Sequence, residues 1–158
     1  MVNLINKHVG LEVEFDESLL KELEQIAIKH YPNEIGGYLL GKYESKNKKA
    51  VVYKQVLALS YINSPTIFKH IVDDETKVLL EKTFEEEGIH YIGEWHTHPN
   101  SNSGYSQTDF KALKKVANDK KTNIENPILL IIGFNKKGIK DYSFYVIENN
   151  KIFKYEKE

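Results

Sequence analysis

The chain has 158 residues, of which 41% are hydrophobic and 28% charged, and this composition indicates a globular protein and excludes a disordered one. We expect a single domain covering residues 1–158. Its 22 basic and 23 acidic residues give a formal net charge of −1, so we expect neither a nucleic-acid nor a membrane partner. The absence of cysteine excludes disulfides, cysteine nucleophiles and thiolate metal sites, and it favours a cytoplasmic location.

The first third of the chain is predicted to contain strands around one helix. Apolar and polar residues alternate irregularly over 2–15, which indicates a strand. Asp16 is expected to be the N-cap of a helix whose apolar stripe continues to about residue 30. Residues 38–43 and 49–60 indicate two further strands joined by a turn.

A second helix is predicted to begin at Asp74 and to end at Gly88, since glycine is common just after a helix C-terminus. Its apolar positions place Val78, Leu79 and Phe84 on the inner face. This helix precedes the most informative part of the sequence.

The remaining elements alternate between strand and helix patterns. Residues 89–95 indicate a short strand, and 108–118 a third helix. Residues 127–134 form a continuous apolar strand, expected to be covered on both faces. Strands at 139–147 and 152–155 follow after turns. The predicted fold class is α/β (α+β), with a mixed β-sheet flanked by about three helices.

Two histidines two positions apart suggest a metal site. His96 and His98 follow a predicted strand, and side chains at i and i+2 of an extended segment point to one side, so one ion can contact both. Asp109, near the start of the third helix, is expected to supply a third ligand. Three protein ligands with a fourth position for water are the arrangement of a catalytic zinc site, so the sequence predicts a zinc hydrolase.

The same segment allows a second interpretation. Ser106 and Asp109 also match a helix capping box, in which each side chain accepts a hydrogen bond from the other residue's backbone N–H. Ser106 can serve in both interpretations, but they compete for the carboxylate of Asp109.

A hydrolase also needs a group that accepts and returns a proton, and two glutamates qualify. Glu34 precedes the glycine pair at 36–37, at the start of a predicted strand. Glu94 lies two residues before His96 and should share its face of the strand. The residues by themselves leave the choice between Glu34 and Glu94 open.

The segments EIGGYLLG (34–41), HTHP (96–99) and SQTD (106–109) together resemble the JAMM (MPN+) metalloprotease family. Seven residues separate the second histidine from the serine, and two separate the serine from the aspartate, which is the family spacing. The resemblance implies the family fold, a mixed curved sheet flanked by helices and similar to the cytidine-deaminase architecture.

The resemblance also implies a role for each matching residue. His96, His98 and Asp109 would bind Zn²⁺. Glu34 would act first as general base and then as general acid. Ser106 would help to hold the oxyanion.

One position departs from the family pattern, because many members carry cysteine where this chain has Gly36; the change removes packing volume but no chemistry. The short chain and the block GEWHTHP (93–99) resemble compact bacterial members associated with CBASS antiphage operons. By that resemblance the substrate is a protein conjugate joined through the C-terminal tail of a ubiquitin-like protein, and the enzyme undoes the conjugation. An extended tail could bind by adding a strand to a sheet edge.

Other functions remain as alternatives. An iron oxygenase with two histidines and one carboxylate would use similar ligands, although the predicted helices argue against its jelly-roll fold. A zinc deaminase would need cysteine ligands. A non-catalytic MPN-type interaction module would be expected to lack a ligand or Glu34. A metal-dependent amidase acting on a small-molecule or sulfur-carrier substrate stays open.

Overall fold

The computed structural model describes residues 1–124 and 126–158, which form three helices and eleven strands. In chain order the elements are β1 (Val2–Asn6), β2 (Leu11–Phe15), α1 (Ser18–His30), β3 (Gly36–Glu44), β4 (Lys49–Leu57), β5 (Tyr61–Asn63), β6 (Phe68–His70), α2 (Asp74–Glu87), β7 (His90–Pro99), α3 (Gln107–Ala117), β8 (Ile128–Asn135), β9 (Gly138–Glu148), β10 (Lys151–Lys154) and β11 (Glu156–Lys157). None of the helices within these ranges is long and apolar enough to cross a membrane.

Nine strands form one sheet in the order β10-β9-β8-β7-β3-β4-β2-β1-β11, and β5 pairs with β6 in a separate hairpin. The sheet is mixed, because β7 pairs with β8 and β2 with β4 in parallel, whereas the other neighbours are antiparallel. Its two edge strands, β10 and β11, are separated in the chain by Tyr155 alone. The sheet therefore curves until its edges are neighbours. The predicted fold class is confirmed.

The two faces of the sheet carry different helices. On β8, Ile128 and Leu130 belong to the main core together with buried side chains of α1, including Leu23. Leu129 and Ile131 point the other way, into a smaller cluster with Leu113 of α3. The sheet is thus covered on both faces, as predicted for this continuous apolar strand.

The N-terminal strand pattern and the first cap differ from the prediction. Residues 2–15 form two strands, because a tight turn interrupts them: Gly10 has φ 68° and its N–H donates to Asn6 O at 2.9 Å. Helix α1 is preceded by Glu17, not by Asp16, although the Asp16 carboxylate still accepts the Ser18 N–H at 2.8 Å.

The inner face predicted for α2 is wrong for Val78 and Phe84, which are 61% and 56% exposed. The buried positions are instead Thr76 and Thr83. Threonine can face the sheet here because its hydroxyl is satisfied within the helix: Thr83 donates to Leu79 O at 2.8 Å. The predicted bounds hold, since α2 begins at Asp74 and Gly88 follows it in a left-handed conformation with φ 70°.

Candidate metal centre

Strands β3 and β7 place the predicted site residues side by side. The two strands are antiparallel, and Gly36 pairs with His96. Along β7 the side chains alternate: Trp95 belongs to the main core on the α1 face, Thr97 is fully buried, and His96 and His98 are partly exposed. The expectation that the two histidines share one face of an extended segment is therefore confirmed, with ring centroids 5.0 Å apart.

Thr97, between the histidines, joins β7 to the segment that carries Glu34. Its hydroxyl oxygen accepts the Ile35 N–H at 3.0 Å, and its own N–H donates to Ile35 O at 2.9 Å. A fully buried threonine that satisfies a neighbouring backbone group fixes the two strands relative to each other. This function of Thr97 was not predicted, because it depends on a contact 62 residues away in the chain.

Asp109 lies in the first turn of α3, where its carboxylate has two sets of contacts. Its Oδ2 accepts the Ser106 N–H at 2.8 Å, and the Ser106 hydroxyl accepts the Asp109 N–H at 3.1 Å, which completes a capping box. Its Oδ1 lies 3.1 Å from His96 Nε2, and Oδ2 lies 3.4 Å from His98 Nε2. The cap and the contacts to the histidines therefore coexist, whereas the sequence analysis expected them to compete.

The spacing of these atoms fits a zinc ion. The Nε2 atoms of His96 and His98 are 3.1 Å apart, and each is 3.1–3.4 Å from an oxygen of Asp109. Zinc bonds of about 2.0–2.1 Å in a tetrahedron place neighbouring ligand atoms about 3.3 Å apart. Two nitrogens and one carboxylate at about that separation could bind one ion and would leave a fourth position to a small ligand.

The orientation of the His98 ring is fixed from behind. Its Nδ1 lies 3.2 Å from the carbonyl oxygen of Asn102, which can only accept, so Nδ1 carries the proton. In the neutral ring Nε2 is then the free lone pair, as a metal ligand requires. The sequence gives no sign of Asn102, since a backbone carbonyl is independent of residue type.

The loop that carries Asn102 is attached to the sheet by Ser103. Its hydroxyl lies 2.7 Å from that of Ser143, and its N–H donates to Asp141 Oδ2 at 3.0 Å. The Tyr145 hydroxyl donates to Ser103 O at 2.8 Å. These bonds to β9 hold the segment between the histidines and α3.

Glu34 is 9% exposed, and its carboxylate faces the histidines: ligand atoms of Glu34, His96 and His98 all lie within 4.8 Å of one another. Burial raises the pKa of Glu34, Asp109 acts in the same direction, and the two histidines act against it. The 3.1–3.4 Å contacts make Asp109 a better third ligand than Glu34. Glu34 lies within 4.8 Å of ligand atoms of both histidines, close enough to contact a water beside them.

The electrostatics of the three converging side chains suit a cation. Burial alone would raise the pKa of Asp109, but hydrogen bonds to His96 and His98 outweigh it and hold that pKa far below its usual range. For His98, burial would lower the pKa, yet the hydrogen bond to Asp109 raises it overall. The carboxylate is thus ionised, and a divalent ion can replace the proton shared with the imidazoles.

Glu94, the other glutamate considered as a base, has different partners. One carboxylate oxygen lies 2.9 Å from His70 Nδ1, and the other accepts the Tyr91 hydroxyl proton at 2.8 Å. Since both oxygens are used in these contacts, the structure favours Glu34 over Glu94 as the group that faces the metal ligands.

The absence of a side chain at Gly36 leaves space that the Phe68 ring occupies. A Cβ added there would lie 2.7 Å from Phe68 Cε2, 2.9 Å from His96 Cβ and 2.5 Å from Trp95 O. The Phe68 ring therefore takes part of the space that a larger residue, such as the cysteine found in many JAMM proteins, would need.

The chain is similar to several known proteins. A family described as "Prokaryotic homologs of the JAB domain" matches residues 16–145. The chain is 25% identical over 122 residues to a protein of Enterobacter hormaechei subsp. hoffmannii (strain UCI 50) named "CD-NTase/cGAS isopeptidase", covering 77% of this chain and 67% of that protein.

Solved structures share the fold. The solution structure of protein DSY2949 from Desulfitobacterium hafniense is similar with a TM-score of 0.66 and 20% identity, over 92% of this chain and 91% of that one. A protein from Salinibacter ruber is similar with a TM-score of 0.58 and 15% identity, over 92% and 88% of the two chains. At these identities the likeness concerns the fold alone.

Proposed function

The chain belongs to the family of prokaryotic homologs of the JAB domain, and from this premise we propose that it is a zinc-dependent isopeptidase. It hydrolyses the amide bond that follows the C-terminal tail of a ubiquitin-like modifier or of a related protein conjugate. The observation that carries the proposal is the convergence of His96, His98 and Asp109 at 3.1–3.4 Å beside the buried Glu34.

In this proposal His96, His98 and Asp109 are the zinc ligands. Zinc bound there would supply Lewis-acid activation of water and of the substrate carbonyl. The capping box supports the assignment, because it fixes the Asp109 carboxylate to the first turn of α3 through the Ser106 N–H. The bond between His98 Nδ1 and Asn102 O supports it as well, because it places the proton of the neutral ring on Nδ1 and leaves Nε2 for the ion.

Glu34 moves the proton. Its carboxylate takes a proton from water, and the water oxygen forms a bond to the amide carbon. When the carbon–nitrogen bond breaks, Glu34 returns the proton to the departing amine. A carboxylate with a pKa raised by burial suits both steps, since it accepts a proton and holds it until the amine leaves.

Ser106 donates to the oxyanion. Its hydroxyl oxygen already accepts the Asp109 N–H, so its own proton remains available as a donor. The side chain is exposed at the start of α3, where a substrate can reach it. A positioned donor of this kind stabilises the charge that develops on the carbonyl oxygen.

An exposed apolar surface favours a protein substrate over a small molecule. Among the described residues, eight of the eleven large hydrophobic side chains that are exposed lie between Tyr53 and Phe84. They include Ile62 and Ile67 of the β5–β6 hairpin, and Val78 of α2, which lines one depression with Leu59. We propose that these side chains form one apolar surface and that it binds the folded part of the modifier, since a concentrated apolar surface marks a site of protein contact.

The name of the Enterobacter relative indicates which conjugates to test first. We propose that the substrates include conjugates of a CD-NTase or cGAS-like protein, and that the cleavage belongs to antiphage defence. In a cleavage assay, such conjugates and a panel of ubiquitin-like fusions would be incubated with the protein, with and without a chelator. Cleavage that the chelator abolishes and zinc restores is expected.

The variant Glu34→Gln separates binding from chemistry. It keeps the shape of the side chain, so zinc content and fold are expected to be unchanged, while turnover falls by about 10²–10⁴-fold. Metal analysis of protein purified without added metal should find zinc, whereas iron would favour the oxygenase alternative. Near-native cleavage by the variant would remove Glu34 from the mechanism.

A further inference from the structure

The β5–β6 hairpin is attached directly to the backbone of Glu34. The Glu34 N–H donates to Ser64 O at 2.8 Å, and the side-chain amide of Asn63 donates to Glu34 O at 3.0 Å. Both backbone groups of the proposed base are thus bonded to residues of the hairpin. The position of the Glu34 carboxylate consequently depends on where the hairpin lies.

The hairpin has little internal stability. Each strand has three residues, and an isolated two-stranded hairpin is at best marginally stable in water. Ile62 and Ile67 are 60% and 57% exposed, so they contribute little burial. The hairpin must therefore be held in place by contacts with the rest of the protein.

Side chains of β6 contact the strands of the site. Phe68 packs against Gly36, the His70 ring lies edge-on to Tyr38 with centroids 5.3 Å apart, and His70 Nδ1 meets Glu94 Oε1 at 2.9 Å. The contact with Glu94 is a specific one, because Glu94 is fixed by the Tyr91 hydroxyl at 2.8 Å and its side chain is only 20% exposed. Glu94 projects from β7, two residues before the proposed ligand His96.

We propose that Glu94 is a positioning residue, which holds the hairpin through His70 and thereby keeps Glu34 in place. This inference rests on the proposed function, because it assigns Glu94 to the same site. A carboxylate is suited to the task, since one oxygen accepts from Tyr91 while the other meets His70. Glu94 itself takes no part in the chemistry.

The test compares Glu94→Ala with Glu94→Gln in the full chain. The alanine variant removes both bonds, so amide hydrogen exchange of Glu34 and Ile67 is expected to speed up roughly tenfold or more, while zinc affinity stays unchanged. Turnover is expected to fall by a similar factor. The glutamine variant can still accept from Tyr91 and contact His70, so it should restore most of both quantities.

A matched control and a second variant distinguish positioning from a general loss of stability. Glu14 also forms a partly exposed ion pair, with Lys49 at 3.1 Å, and Glu14→Ala should leave hairpin exchange and turnover unchanged. His70→Ala removes the same contact and should also speed up exchange and lower turnover, and the effect of the double variant should be smaller than the sum of the two single effects.

The two proposals fail in different ways. If the zinc-loaded protein cleaves no conjugate, the proposed function fails, and hydrogen exchange still decides whether Glu94 anchors the hairpin. If Glu94→Ala leaves exchange of the Glu34 amide unchanged, or lowers only the melting temperature, the positioning role is refuted while the isopeptidase proposal stands. Independent, additive effects of Glu94→Ala and His70→Ala would refute it too.

Discussion

Replacing Asp109 with asparagine separates the two tasks of this side chain, proposed metal ligand and helix cap. The amide oxygen of the substituted side chain can still accept the Ser106 N–H bond, now 2.8 Å long, so the start of α3 is preserved. The negative charge 3.1–3.4 Å from the imidazole nitrogens of His96 and His98 is lost. We therefore expect zinc binding to weaken while the fold persists.

The size of the expected change in Tm follows from the loss of zinc affinity. Groups that merely support a ligand change metal affinity by 10–100-fold, so loss of the ligand's charge should cost about 100-fold or more. At free zinc about 1,000 times the dissociation constant, binding adds about 4.1 kcal/mol to the free energy of unfolding, and a 100-fold weaker site adds about 1.4 kcal/mol. Since 1 kcal/mol corresponds to about 2–4 °C at this size, the zinc-induced rise in Tm should fall from about 8–16 °C to about 3–6 °C.

The assay is calorimetric melting of chelator-treated protein with and without buffered zinc. Ser106→Ala is the control: it removes one cap bond, worth about 1 kcal/mol, and should lower the Tm of the metal-free protein without reducing the rise caused by zinc. If Asp109→Asn showed the full zinc-induced rise, the carboxylate would not be a ligand, and the geometric argument for the metal centre would fail.

Three further predictions concern the surroundings of the site. Thr97→Val leaves the buried Ile35 N–H without its acceptor and should lower the free energy of unfolding by about 1–3 kcal/mol. The measurement is the urea midpoint, which should fall at unchanged m, with Thr97→Ser as the control. An unaltered midpoint would contradict the prediction. Gly36→Ala forces a Cβ to 2.5 Å from the Trp95 carbonyl oxygen of β7 and should lower the free energy of unfolding by about 1–3 kcal/mol, measured in the same way. A variant as stable as the original would show that β3 and β7 can move apart to make room. Ile67→Asp should raise KM for a folded conjugate but not for a short tail peptide. Ile28→Asp, on the exposed side of α1, should leave KM for both substrates unchanged. Equal effects of the two variants would show that the apolar surface takes no part in substrate binding.

The proposed metal ligands could be named from the sequence because their geometry is mostly local. His96 and His98 are two residues apart on one strand, so the alternation of side chains already places them together. Ser106 and Asp109 lie at a helix N-terminus whose capping pattern is readable from the residue types. The resemblance to the JAMM family, drawn from the same residues, is confirmed by the family match.

The family resemblance named Glu34 as the base, but a choice between Glu34 and Glu94 on the residues alone required the fold. Both precede apolar or histidine-bearing strand residues, and local pattern does not distinguish them. The pairing of Gly36 with His96 brings Glu34 to the ligands, while the β5–β6 hairpin supplies His70 as a partner for Glu94. The sequence analysis missed this hairpin because strands of three residues are too short to show periodicity.

The inner face of α2 was mispredicted for a related reason. Apolar residues were assigned inward by their helical spacing, yet Val78 and Phe84 are exposed. Threonines with hydroxyls bonded inside their own helix take the buried positions instead. Helical spacing shows that α2 is amphipathic. It does not show which face of α2 packs on the sheet when exposed residues of the helix are apolar too.

The pairing of β1 with β11, which follows Tyr155, has a consequence for folding during synthesis. Leu4 of β1 pairs with Lys157 of β11, 153 residues later, so this contact must await the emergence of residue 157 from the ribosome. Loops of such length close slowly, and contacts of high sequence separation delay folding. Until then β1 presents unpaired backbone groups on the side that β11 later covers, which exposes the growing sheet to self-association.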